Sequence, residues 1–129
     1  MTRVLIVDDD MSLLKRMQEL LRKEFADYEI ITAASLKEAE ARLRELRAVS
    51  LVIADYQLPD GTGYDFLKYC QDHLTNVPVI IITAYPDDNE VRPAVSLRKG
   101  AFEFMSKPID YEELFERIKR ALYIAEALA

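Results

Sequence analysis

Four short apolar runs each end on residues able to handle a cation or a phosphoryl group. Asp8, Asp9 and Asp10 follow "RVLIV", Asp55 follows "LVIA", Thr83 closes "VPVIIIT", and Lys107 stands two residues past "FEFM", just before Pro108. Carboxylates are hard oxygen ligands suited to a divalent ion such as Mg²⁺. An aspartate exposed at a strand end can also attack phosphorus. A lysine ammonium and a threonine hydroxyl can hold phosphoryl oxygens, and such positioning and electrostatics make up most of phosphoryl-transfer catalysis. Each residue taken singly has a plainer role, as a helix cap, a turn former, a solvated lysine or a β-forming threonine. Asp10, with Ser12 beside it where the first helix starts, is assigned to capping. Asp8, Asp9 and Asp55 gain weight together, because three converging acids repel and one lysine cannot neutralise them, whereas a bound divalent ion can.

For these residues to meet, the runs must be parallel strands with their carboxyl ends on one edge, where open α/β sheets bind ligands. The chain alternates β-rich apolar runs with stretches of helical period, the pattern of βαβ units on a parallel sheet. The spacing predicts strands over 3–7, 28–33, 50–54, 77–83 and 102–105. The first, third and fourth are nearly unbroken Val, Ile and Leu, as strands buried on both faces require, so they are expected at the centre.

Leu13, Leu14, Met17, Leu20, Leu21 and Phe25 follow a 3.6-residue period, as do Leu36, Ala39, Leu43 and Leu46. Ser35 with Glu38, and Asp110 with Glu113, mark helix starts. A third helix is expected from about Tyr64 to His73, entered through the "PDGTG" turn. "YPDDNEV" reads as loop, with a fourth helix from near Arg92, Pro93 in its first turn and Gly100 just past its end. The last helix presents Leu114, Phe115, Ile118, Ala121 and Leu122 to the sheet, and Ala125 and Leu128 continue the stripe beyond a small sheet's edge.

The chain has 129 residues, half of them apolar, enough for one complete core. A net charge of −6 without a Lys/Arg stripe argues against direct binding of nucleic acid or anionic lipid through bulk electrostatics. The single Cys70 excludes an intramolecular disulfide and is expected to fill a helix face. With no apolar run near the roughly 20 residues of a membrane span, the expectation is a cytoplasmic protein with no membrane contact.

The strings "VLIVDDD", "ADYQLPDGTGYDFL", "PVIIITAY", "GAFEF" and "SKPID", in this order, resemble the receiver domain of bacterial response regulators over residues 3–122. That resemblance implies a flavodoxin-like, doubly wound α/β fold: a five-stranded parallel sheet of order 2-1-3-4-5 with five helices. It implies Asp55 as phosphoacceptor, receiving its phosphoryl group from a histidine kinase or histidine phosphotransfer protein in an Mg²⁺- or Mn²⁺-dependent reaction. Asp9 and Asp55 would ligate the metal directly, Asp8 mainly through water, and Gln57 through its backbone carbonyl. Thr83 corresponds to the switch hydroxyl, Lys107 to the family's lysine with a cis bond to Pro108, and Phe104 to the aromatic switch position. The output surface would be helix 4, strand 5 and helix 5, facing an output domain, a target protein or a second copy in a homodimer. Residues 1–122 would be the receiver and 123–129 a linker or dimerisation segment.

Two other functions fit parts of the pattern. Asp8, Asp10 and Ser12 loosely mimic the Asp-x-Asp-x-Thr loop of haloacid-dehalogenase-like phosphatases, with Asp8 as nucleophile, but that reading leaves Asp55 and "PDGTG" without a task. A non-phosphorylated interaction module would have no need of Asp8, Asp9, Asp55, Thr83 and Lys107 together.

Overall fold

The computed structural model describes residues 1–46, 48–85 and 92–128. Five parallel strands, β1 (Arg3–Val7), β2 (Glu29–Ala33), β3 (Leu51–Asp55), β4 (Val79–Thr83) and β5 (Glu103–Ser106), form one sheet of order β2-β1-β3-β4-β5. Five helices connect and cover them: α1 (Met11–Glu24), α2 (Leu36–Glu45), α3 (Gly63–His73), α4 (Pro93–Arg98) and α5 (Tyr111–Leu128). This is the doubly wound arrangement expected, with β1, β3 and β4 central.

The unbroken apolar strands follow from burial on both sides. Alternate residues of β1, β3 and β4 feed two separate cores. Val4, Ile6, Leu51, Ile53, Ile80 and Ile82 pack with α1 and α5, while Leu5, Val7, Val52, Ala54, Val79 and Ile81 pack with α2 and α3. A one-residue register slip would exchange these two sets, so the pairing is strongly specified.

Strand boundaries move by one or two residues from expectation. β4 begins at Val79 because Pro78 has no N–H for the ladder, although its carbonyl still accepts from Val52 N–H at 3.0 Å. β3 runs one residue further and includes Asp55 itself.

The helix starts follow the residues that predicted them. Asp10 Oδ1 accepts from Leu13 N–H at 3.1 Å, Ser35 Oγ from Glu38 N–H at 3.1 Å, and Asp110 Oδ1 from Glu113 N–H at 3.2 Å. Glu38 reaches back one residue further than a capping box requires, to Ala34 N–H. Gly100 has φ +103°, the left-handed conformation that a C′ glycine supplies after α4. Apart from Tyr85, the expected loop over 85–91 lies outside the described residues.

Cys70 is buried on α3, as expected, and burial pushes its thiol up to about 12. Leu114, Ile118 and Ala121 of α5 are fully buried. Further along, Ile124, Ala125 and Leu128 form one wall of a 540 Å³ hollow shared with Leu74, Val77 and Phe102, at the opposite end of the sheet from Asp55. Among the described residues no helix is long and apolar enough to cross a membrane.

Candidate functional site

Backbone pairing sets the site before any side chain is considered. Asp8 N–H donates to Ala33 O at 3.0 Å, Tyr56 N–H to Ile82 O at 2.7 Å, and Lys107 N–H to Thr83 O at 2.8 Å. These bonds continue the ladder past the strand ends and hold the ends of all five strands at one carboxyl edge. Asp8 and Asp55 are 3% and 7% exposed, so two acids are held largely out of water.

The side chains converge as the spacing implied. Carboxylate oxygens of Asp8, Asp9 and Asp55 all lie within 4.8 Å of one another. Lys107 Nζ is 2.9 Å from Asp8 Oδ2 and 3.3 Å from Asp55 Oδ2. Asp9, Asp55, Gln57, Thr83 and Lys107 line a single cavity of 490 Å³. Thr83 is buried at its edge, where its Oγ1 accepts from Tyr85 N–H at 3.0 Å. Lys107 and Pro108 are joined by a cis peptide bond.

The electrostatics reflect partial neutralisation. Burial pushes the Asp55 carboxyl up to about 6; the Asp8 charge adds to the rise, and Lys107 and the Gln57 N–H oppose it. Burial disfavours the Lys107 charge, yet the hydrogen bond to Asp8 and the charges of Asp55 and Asp8 outweigh it and hold the ammonium above its ordinary value. Among the described residues one ammonium faces three acids, a surplus of negative charge in a half-desolvated crevice. Three hard oxygen donors at this spacing fit Mg²⁺ or Mn²⁺, and the Asp8 and Asp55 carboxylates have enough lone pairs to ligate while still bonded to Lys107.

Phe104 lies elsewhere. It pairs in register with Ile81 on β5, packs half-buried against the α2 and α3 core, and lines a separate 340 Å³ hollow with Pro93, Pro108 and Glu113. Asp10 is also set apart, because its carboxylate caps α1. The dehalogenase-like arrangement, which needs Asp8 and Asp10 to act together, therefore lacks its second acid.

Residues 4–119 match the response regulator receiver domain. The chain belongs to that family. It is 36% identical over 122 residues to the response regulator protein PilR of Pseudomonas aeruginosa, a match covering 93% of this chain and 26% of PilR. Among solved receivers, the beryllofluoride-activated NtrC4 receiver domain dimer has a TM-score of 0.86 at 32% identity, covering 97% of this chain and 99% of that one. The response regulator TrrA of Thermotoga maritima, in complex with Mg²⁺ and BeF, has a TM-score of 0.80 at 30% identity, covering 95% and 100%. The chain spans between 26% and 54% of the length of the first curated relatives it matches. As a receiver domain it is a signalling module of two-component systems, with the parallel sheet and acidic edge of that family.

Several contacts around this receiver site were not read from the sequence. Thr62 and Asp65 form a reciprocal capping box at the start of α3, a spacing that was legible. Gly63 N–H donates to Tyr56 O at 2.7 Å, and a Cβ at Gly63 would stand 2.7 Å from Asp55 O and 3.1 Å from Tyr56 Cα. Only glycine allows α3 to start so close to the Asp55 backbone. Tyr64 Oη and Ser96 Oγ are 2.6 Å apart, joining α3 to α4, and the Tyr64 ring meets the Tyr56 ring edge-on. Such contacts between elements carry no local signal.

Proposed function

We propose that Asp55 accepts a phosphoryl group from the phosphohistidine of a histidine kinase or a histidine phosphotransfer protein. An Asp55 carboxylate oxygen forms the new P–O bond as the P–N bond to the donor imidazole breaks, and the imidazole leaves with the electron pair and takes up a proton. With its carboxyl raised only to about 6, Asp55 is mostly ionised near neutral pH and so available as nucleophile. Asp8, Asp9, Asp55 and the Gln57 carbonyl are the residues that would hold Mg²⁺ or Mn²⁺. A bound cation would supply charge neutralisation to the transferring oxygens. Lys107 offsets charge from the other side, and Thr83 offers a hydroxyl donor.

The observation that carries this reading is the convergence of three acids and one ammonium at one sheet edge, beside the cavity that Asp55 lines from the end of a central strand. Phosphorylation replaces one carboxylate by a group of roughly −1.5 to −2 charge with strong acceptor oxygens. Thr83 moves toward it, and the packing around Phe104 shifts between two populations on the face of α4, β5 and α5. That face meets an output domain, a target protein or a second copy. Residues 123–129 serve as a linker or dimerisation segment; Tyr123 and Leu128, 76% and 67% exposed, offer apolar surface for that purpose. Phosphoryl transfer and its hydrolysis are self-catalysed, and the setting is the cytoplasm.

Amide NMR with Mg²⁺ and beryllofluoride tests the assignment. Saturable shifts around residues 55–63, absent from Asp55→Asn, are expected; shifts that persist in Asp55→Asn overturn it.

A further inference from the structure

The loop that leaves Asp55 is fastened to a helix on a different part of the sheet. Asp60 Oδ1 accepts from Leu36 N–H at 2.8 Å, and its Oδ2 accepts from Lys37 N–H at 3.0 Å. These are the first two amides of α2, which have no partner within the helix. Ser35 caps the same helix but takes only the Glu38 N–H. The N–H groups of Lys37 and Leu36 hold the Asp60 carboxyl below its ordinary value, so the anchor is anionic near neutral pH.

The contact is not confined to one side chain. A Cβ on Gly61 would collide with Leu36 Cδ1 and stand 2.8 Å from Asp65 Oδ2, so the loop lies directly against the first residue of α2. Within the loop, Gln57–Leu58 pairs antiparallel with Gly61–Thr62, and the Thr62–Asp65 box locks its far end to α3. The span from Asp55 to Gly63 is thus held at β3, at α2 and at α3. Gln57 lies between the first two of these anchors.

We propose that Asp60 is a positioning residue for the cation site: by clamping this loop to the N-terminus of α2, it sets where the Gln57 carbonyl sits. This rests on the reading of Gln57 as a ligand. Mg²⁺ demands near-ideal octahedral geometry at about 2.0–2.1 Å, so a carbonyl on a loosened loop loses affinity for it. The bland alternative is that Asp60 serves only to start α2.

Amide NMR titration with Mg²⁺ alone separates the two, using the intact chain, Asp60→Ala, Asp60→Asn and Ser35→Ala, with thermal melting of each. Asp60→Ala is expected to raise the Mg²⁺ dissociation constant about tenfold, the scale of lost outer-shell support. Asp60→Asn keeps one acceptor oxygen and gives a smaller rise in the same direction; it carries the test if Asp60→Ala does not fold. Ser35→Ala weakens the start of α2 without touching the loop, and is expected to lower the melting temperature while leaving the constant unchanged. An unchanged constant in the Asp60 variants, or an equal rise in Ser35→Ala, overturns the positioning role while leaving the cation site standing. Absence of saturable binding in the wild-type chain overturns both.

Discussion

Lys107 Nζ lies 3.3 Å from Asp55 Oδ2 while also holding Asp8 at 2.9 Å, so one ammonium is shared by two largely buried carboxylates. That sharing is incomplete neutralisation. It fails to offset the burial that raises the Asp55 carboxyl, leaves Asp9 without a direct share of the ammonium, and leaves a net negative charge that a divalent ion would balance.

The Asp55 contribution to stability should therefore fall as pH rises through the acid range. With Asp55 raised from 3.8 to about 6, the folded chain keeps a proton that the unfolded chain has released. The contribution is fully present below the unfolded value and lost as pH passes the folded one. Discounted for the partial solvation of an open crevice, the loss is about 2 kcal/mol. Urea denaturation of wild type and Asp55→Asn across this range measures it. The wild-type curve should decline relative to the variant, and parallel curves refute the claim.

Mg²⁺ should offset most of that cost near neutral pH. A ligand that binds only the folded chain at ten times its dissociation constant adds about 1.4 kcal/mol. Thermal melting should show an increase for wild type and a much smaller one for Asp9→Asn, which loses one of the three converging carboxylates.

Lys107→Met should slow phosphoryl transfer more than it weakens folding. Loss of one preorganised charge at developing phosphoryl oxygens costs on the order of 10²-fold in rate. The rate of labelling by acetyl phosphate, compared with the melting temperature, distinguishes this from simple destabilisation.

Gly63→Ala tests the close approach of α3. Alanine gains up to about 1 kcal/mol over glycine within a helix, and less at its first position. Here its Cβ would stand 2.7 Å from Asp55 O, a backbone atom that cannot swing away. The clash should win, with a net loss of about 1–3 kcal/mol by chemical denaturation. A stabilised variant would contradict the packing described.

Much of this arrangement was legible because each element announces itself locally. The unbroken aliphatic strands declare two-sided burial, and Asp10, Ser35 and Asp110 each cap the helix expected of them. Asp8, Asp9, Asp55, Thr83, Gln57 and Lys107 meet because every one ends or follows a parallel strand, and parallel strands share a carboxyl edge. Asp60 escaped notice because "PDGTG" is sufficient as a turn, and nothing near it in sequence points to α2. Tyr64 and Ser96 were missed for the same reason, since a bond between helices depends on how the sheet twists them together. Phe104 was reached only through the family resemblance, its packing showing no chemistry of its own.

The most direct test of the central claim is the site of covalent modification. Incubation with Mg²⁺ and acetyl phosphate, followed by peptide mass spectrometry, should find a hydroxylamine-sensitive phosphoryl adduct on Asp55 and none in Asp55→Asn. An adduct on Asp8, or no adduct under conditions that label another receiver domain, would contradict it.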